Sequence, residues 1–231
     1  MNPAPRLAAI IVAAGRGERM GAAVPKAFLP LAGRPLFLHS LATFARLPDT
    51  SELIVVVGAD RVDEVRREVR REVDRAVTVV AGGAERQDSV ACGLAAVAGA
   101  ELVAVHDAAR PFIRREHIAA CAAAAAESGA AIVAVPAHDT VKIADADRFV
   151  TATPARASVW QAQTPQIFRT ALLRRAYAAA AASAFLGTDD ASLVERLGER
   201  VRLVPGAVAN RKLTTPDDLA WAEWRLRQER S

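Results

Sequence analysis

Lysine is scarce in this chain of 231 residues: of its 30 basic residues only those at 26, 142 and 212 are Lys, and the rest are Arg. Where arginine fills nearly every role open to a surface cation, a lysine that remains is expected to need an ammonium. That compact charge sits between several phosphate oxygens, which the planar guanidinium fork does not. Lys26 stands six residues after the stretch Ile10-Ile-Val-Ala-Ala-Gly-Arg-Gly-Glu-Arg-Met20. The apolar run Leu7–Ala13 has the length and β-branched content of a buried strand. It ends in Ala14-Gly15-Arg16-Gly17, where small residues let main-chain N–H groups approach an anion. Arg16, Arg19 and Lys26 add positive charge around that loop. A dinucleotide fingerprint fails here because Met20 takes the place of its third glycine, and no Gly-Lys-Ser/Thr follows as an ATPase loop demands. What survives is a strand, a glycine loop, an arginine and a lysine, suited to holding a nucleoside triphosphate while a phosphoryl bond is exchanged.

Two further stretches carry chemistry. Gly82-Gly-Ala-Glu-Arg-Gln-Asp-Ser89 follows a strand pattern and opens a helical one, so it offers a ligand small residues and a helix N-terminus, or simply a turn with its cap. In His106-Asp107-Ala-Ala-Arg110-Pro111, Asp107 falls just past a buried strand, where a carboxylate is placed to bind the Mg²⁺ of a nucleoside triphosphate or to cap the next turn. His106 has no His partner at metal-ligand spacing and reads as structural. No nucleophile elbow, no Cys in a His context and no paired glutamates are present. A substrate phosphate that attacks the α-phosphorus of a nucleotide arrives already ionised, so it needs cations, metal and alignment rather than a general base. Arg19, Lys26, Arg156 and Lys212 would supply the cations.

These residues must be positioned by elements, and the pattern of the first half alternates. Strands are expected at Leu7–Ala13, Leu53–Val57, Val77–Val80, Leu102–Val105 and Ala131–Val135, with helices at Pro35–Ala45, Arg61–Val73, Ser89–Ala98 and Arg114–Glu127 between them. Such alternation predicts an α/β fold: a mainly parallel sheet with helices on both faces and ligands beyond the carboxyl ends of the strands. After Pro136 the pattern changes. Thr140–Ile143 and Phe149–Thr153, separated by polar residues, predict a projecting β-hairpin that packs on a second subunit, because two strands alone are marginal in water. Helices resume at Thr170–Ala182 and Asp190–Leu197, a strand follows at Val201–Val204, and Thr215–Arg227 closes as a helix behind a hydroxyl cap, Pro216 and two acids.

Composition sets the bounds. The length suits one domain over residues 1–231, with the hairpin arm at about 137–157. Hydrophobic residues make up 52%, many of them Ala, and no apolar run reaches the length of a membrane helix. The first residues show no secretory pattern, so a cytoplasmic protein without a membrane partner is expected. A net charge of +4 and only one Tyr and three Trp argue against a nucleic-acid partner. The charged run from Arg61 places Val62, Val65, Val69 and Val73 at helical spacing, as a solvated amphipathic helix does. Cys92 and Cys121 show no zinc or redox spacing.

With these residues assembled, the chain resembles the 2-C-methyl-D-erythritol 4-phosphate cytidylyltransferases. The resemblance rests on Ala13-Ala-Gly-Arg-Gly-Glu-Arg-Met20, Pro25-Lys26, Gly82-Gly-Ala-Glu-Arg86 with Ser89-Val90, His106-Asp-Ala-Ala-Arg-Pro111, Asp139-Thr140, Trp160-Gln-Ala-Gln-Thr-Pro-Gln166, Thr188-Asp-Asp-Ala-Ser192 and Asn210-Arg-Lys212. It implies a nucleotidyltransferase fold of Rossmann-like type and transfer of a cytidylyl group from CTP to the sugar-alcohol phosphate with Mg²⁺. By the same resemblance Arg19 and Lys26 stabilise the α-phosphorus and the departing pyrophosphate. Ala13, Ala14, Gly83 and Ser89 contact the nucleoside, with Gly15 and Gly17 in the loop, and Asp107 lies near ribose and metal. Arg110, Thr140, Arg156, Thr164, Thr188 and Lys212 hold the acceptor, with Thr140 and Arg156 reaching the neighbouring subunit's site in a homodimer. Ala84 and Arg211 depart from the family's pattern, the latter beside Lys212. No second catalytic domain of the fused kind is expected after Arg227. The competing readings are a ribitol 5-phosphate cytidylyltransferase and a nucleotide-binding regulator without turnover.

Overall fold

The computed structural model describes residues 5–15 and 25–230. Seven strands form the central sheet: β1 (Leu7–Val12), β4 (Thr50–Val57), β5 (Thr78–Ala81), β6 (Leu102–Asp107), β7 (Ala130–Pro136), β10 (Trp160–Arg169) and β11 (Arg202–Pro205). Their order is β11-β7-β10-β6-β1-β4-β5. All neighbours run parallel except β10, which is antiparallel to both β6 and β7. The short pair β2 (Pro30–Leu31) and β3 (Arg34–Pro35) stands apart from this sheet, as does β8 (Ile143–Ala144) with β9 (Val150–Ala152).

Side-chain alternation explains why the sheet is covered on both faces. Along β1, Leu7, Ala9 and Ile11 join one buried cluster with α1 (Leu36–Ala45), α2 (Val62–Glu72) and α4 (Arg115–Ser128). Ala8 and Ile10 join the other, with α3 (Arg86–Ala95), α5 (Thr170–Ala182) and α6 (Asp190–Arg196). A strand buried on both faces has no polar stripe to show, which is why Leu7–Ala13 reads as a continuous apolar run. A third, smaller cluster seats α7 (Pro216–Arg230) through Leu31, Leu36, Phe112, Leu213 and Ala222. That helix begins as its sequence predicts: Asp218 N–H donates to Thr215 Oγ1 at 3.2 Å and Thr215 N–H donates back to the Asp218 carboxylate at 3.0 Å.

The expected strands and helices fall within a few residues of the observed ones, with two corrections. The strand β10 was not expected. Its sequence holds three Gln and Pro165, a residue that ordinarily argues against a central strand, and the ladder with β7 shifts register between Ala162 and Gln166, where Pro165 sits. The hairpin strands are shorter than the runs at Thr140–Ile143 and Phe149–Thr153 predict, with Thr140, Val141, Lys142, Phe149 and Thr153 outside regular structure. No helix among the described residues is long and apolar enough to cross a membrane.

Candidate active site

The carboxyl ends of β1, β5 and β6 open into a cleft of about 570 Å³ lined by Ala13, Ala14, Gly15, Lys26, Gly83, Arg86, Ser89, Asp107 and Lys212. Every nucleotide-side residue expected from the sequence and described by the structure therefore meets in one place. Gly17 and Arg19 lie outside the described residues. Lys26 enters on a short 3₁₀ turn, Lys26–Phe28, whose Phe28 packs on Phe37 of α1 at 5.4 Å between ring centroids.

The loop after β5 is shaped by Ser89, which is buried. Gly83 N–H donates to its hydroxyl at 3.2 Å, and a Cβ at Gly82 would lie 2.6 Å from the Ser89 oxygen and 2.7 Å from Ala14. Only a residue without a side chain lets the two loops come this close. The turn-and-cap alternative holds as well: Glu85 N–H donates to Asp88 at 3.1 Å, closing the first turn of α3. Ala84 lines the cleft without disturbing that turn.

Asp107 is the electrostatic centre. Its carboxylate, 7% exposed with the residue as a whole, meets Lys212 Nζ at 3.0 Å, Arg86 Nε at 3.3 Å and Arg110 Nε at 3.6 Å. Burial alone would raise its pKa, but Arg86, Lys212 and Arg110 outweigh that and hold it well below the usual carboxylate range. The same three cations surround the carboxylate that the sequence-based expectation gives to a metal. A divalent ion at Asp107 would enter a field already positive, and among the described residues no three His, Cys, Asp or Glu side chains gather to hold one. A metal here would need the oxygens of a bound triphosphate beside Asp107.

Behind Asp107 runs a buried relay. Asp107 N–H donates to Thr164 Oγ1 at 3.0 Å, the Thr164 hydroxyl meets His106 Nδ1 at 3.0 Å, and His106 Nε2 meets the Arg110 carbonyl at 3.1 Å. A carbonyl only accepts, so Nε2 carries the proton and Nδ1 accepts from Thr164. Full burial pushes the imidazole down to about 4, against the pull of Asp107, which keeps it neutral. His106 is thus structural, as its sequence context predicts. Thr164, expected on the acceptor side, has its side chain buried, and its hydroxyl holds the main chain of Asp107.

Lys212 is aimed by its neighbours. Buried Asn210 donates to Gln163 Oε1 and to the Thr164 carbonyl, each at 2.9 Å, while Leu213 N–H donates to the Ala109 carbonyl at 2.9 Å. Arg110 closes the same loop by donating to the Asn210 carbonyl at 2.9 Å. Arg211 packs over Trp221, 4.8 Å from its ring centroid, and pairs with Asp218 of α7, so it leaves Lys212 undisturbed.

The remaining acceptor-side residues lie elsewhere. Thr188 lines a small recess of about 80 Å³ beside the cleft, shared with Arg86, Tyr177 and Asp190. Thr140 and Arg156 lie on the exposed arm, where Arg156 donates to the His138 carbonyl at 3.2 Å. They line none of the cleft, so in one chain the acceptor-side set is not assembled. Arg86 was quoted in the sequence only as part of a loop; that it joins Asp107 to Asp190 depends on a partner 104 residues away.

Comparison with known proteins agrees with this geometry. The profile of the 2-C-methyl-D-erythritol 4-phosphate cytidylyltransferase family matches residues 7–228. An enzyme of that name from Geobacter metallireducens is 46% identical over 221 residues, covering 93% of this chain and 95% of its own. One from Geobacillus kaustophilus is 46% identical over 216 residues, covering 93% and 94%. Among solved structures, the Thermus thermophilus enzyme superposes with a TM-score of 0.78 at 36% identity, covering 96% of this chain and 99% of its own. A 4-diphosphocytidyl-2C-methyl-D-erythritol synthase from Anaerococcus prevotii gives 0.87 at 33%, covering 97% and 100%. With the cleft, its cations and this likeness over nearly the whole length, the chain belongs to the 2-C-methyl-D-erythritol 4-phosphate cytidylyltransferase family.

Proposed function

We propose that this enzyme transfers CMP from CTP to 2-C-methyl-D-erythritol 4-phosphate, with release of pyrophosphate. The observation that carries the reading is the cleft at the strand ends, where Lys26, Arg86 and Lys212 surround a loop of small residues. An oxygen of the acceptor phosphate attacks the α-phosphorus in line. The new P–O bond forms as the bond to the β-phosphate oxygen breaks, and the electron pair leaves with pyrophosphate. The acceptor phosphate is already ionised near neutrality, so no general base is required, and the one histidine near the cleft is neutral and committed to its relay.

In this reading Lys26 and Arg19 stabilise charge on the α-phosphorus and the leaving group. Ala13, Ala14, Gly15, Gly17, Gly83, Ser89 and Asp107 form the nucleotide side. Lys212, Arg110 and Thr188 meet the acceptor, and Thr164 acts through Asp107. Mg²⁺ is assigned to the triphosphate, whose oxygens supply most of its hard ligands, with Asp107 a carboxylate of the same cleft. Thr140 and Arg156 act in a homodimer, each arm of the single domain completing the partner's site. Support comes from the arm itself, where Ile143, Phe149 and Val150 are 52%, 72% and 59% exposed on a two-stranded ribbon too small to be stable alone. A cytoplasmic location suits a reaction between two highly charged small molecules.

The test is pyrophosphate release with CTP and Mg²⁺, comparing methylerythritol phosphate with ribitol 5-phosphate. Release with the former alone is expected. Release with ribitol 5-phosphate alone would refute the acceptor, and CTP binding without release under either would favour a regulator.

A further inference from the structure

Arg86 spans two buried carboxylates with one guanidinium. Its Nη2 donates to Asp190 at 2.8 Å and its Nε to Asp107 at 3.3 Å, so the shorter bond is the one outside the cleft. Asp190, 1% exposed at the start of α6, receives its second strong bond from the Tyr177 hydroxyl of α5 at 2.6 Å. Burial works against ionising Tyr177, and the neighbouring Asp190 charge adds to it, so the phenol stays a donor. The result is a fixed chain, Tyr177 to Asp190 to Arg86 to Asp107, that ends on the carboxylate also holding Lys212.

The geometry points to Asp190 and Tyr177 as positioning residues for the transfer reaction: they draw Arg86 aside so that Asp107 keeps one oxygen for Lys212. Arg86 engages Asp107 Oδ1, and Lys212 has Oδ2 at 3.0 Å, with Arg110 Nε farther from the same oxygen at 3.6 Å. A guanidinium prefers to meet a carboxylate with two parallel N–H groups. Without Asp190, the Nη2 donor of Arg86 has Asp107 as its other carboxylate partner. A two-pronged bond there claims Oδ2 and displaces the ammonium. Lys212 is 36% exposed by side chain and faces the cleft, so its resting place on Asp107 sets where an arriving phosphate finds it. Arg86 and Arg110 continue to balance Asp107 once Lys212 turns to that phosphate. The charge count agrees: within this linked group three cations face two carboxylates, an excess of about one positive charge beside Lys26 in the cleft.

The inference rests on the proposed transfer for its kinetic half only. With three lysines in the chain, selective ¹³C labelling at lysine Cε gives three signals, and Lys212→Arg identifies the one that matters. In Asp190→Asn the Lys212 signal of the substrate-free enzyme is expected to move toward its position in Asp107→Asn, while Lys142 on the arm stays put. The KM for the acceptor is expected to rise about tenfold or more, with CTP affinity changed by less than about threefold. Tyr177→Phe, which removes one hydroxyl and no charge, is expected to shift both readouts in the same direction by less. It carries the test should Asp190→Asn fail to melt cooperatively. An unmoved Lys212 signal in a folded variant overturns the inference, as does a loss shared equally by CTP and acceptor. A wild type that releases no pyrophosphate would sink the transfer reading alone, because the Lys212 signal is recorded without substrate.

Discussion

In the cleft, charged groups lean on one another: Asp107 alone meets Arg86, Arg110 and Lys212, and its main chain hangs from Thr164. On the arm, Arg156 is tied to a single carbonyl, Thr140 is exposed, and Ile143, Phe149 and Val150 face outward. Among the described residues the first region is held together within one chain, by burial of Asp107 and by the ion pairs around it. The second has polar residues of the right kind, but among the described residues they are exposed and loosely held. Under the proposed homodimer, a site that draws on both regions would take its nucleotide side from one chain and part of its acceptor side from the partner's arm.

The largest effect should come from the cleft. Lys26→Ala is expected to lower kcat roughly a hundred- to a thousandfold with a smaller change in CTP affinity, because the charge it meets grows in the transition state. Near-normal steady-state kinetics would remove Lys26 from the mechanism. On the arm, Arg156→Ala should act mainly through the acceptor, raising its KM roughly tenfold or more while CTP binding is unchanged. Equal losses for both substrates would erase the distinction between the regions.

Smaller effects test the relay behind the cleft. Thr164→Val leaves Asp107 N–H and His106 Nδ1 without their shared hydroxyl, at a cost of about 1–3 kcal/mol in a denaturation experiment. An unchanged midpoint would dissolve the relay. The pH dependence of stability follows from His106, whose folded pKa near 4 lies below its ordinary 6.5. On acidification the unfolded chain takes up the proton first, so the contribution of neutral His106 is complete above about pH 6.5 and lost as pH falls toward 4. The loss amounts to roughly 3 kcal/mol at most. Asp107, held low by its cations, loses its contribution only in more acid solution, below its ordinary value of 3.8. Thermal melts from pH 7 to 4 should show this slope, and His106→Gln, which keeps a donor toward the Arg110 carbonyl, should flatten it. An equal slope in that variant would mean other groups carry it.

What could be read from sequence divides along physical lines. Strands buried on both faces, such as Leu7–Val12 and the Leu102–Val105 part of β6, are continuous apolar runs, and the helices between them have amphipathic spacing or caps, so the parallel part of the sheet was legible. The strand Trp160–Arg169 was not, because Gln163, Thr164 and Gln166 are buried for their hydrogen bonds to Asn210, His106 and Asp189 rather than for apolar area. Pattern reading sees hydrophobicity and has no access to partners so far away in sequence. The site shows the same divide. Lys26 and Lys212 stood out by residue type, whereas Arg86 looked like part of a helix start, and the bond from Asp107 N–H to the Thr164 hydroxyl joins residues 57 apart in sequence.

The most direct test of a shared site mixes two disabled enzymes. Lys26→Ala keeps a sound arm and Arg156→Ala keeps a sound cleft, so each is expected to be nearly inactive alone. If arms cross between chains, a heterodimer holds one site with both lesions and one with neither, and an equal mixture after subunit exchange should regain roughly a quarter of wild-type pyrophosphate release. No recovery, with exchange proven by tagged subunits, would contradict the account and return Arg156 to the cleft of its own chain.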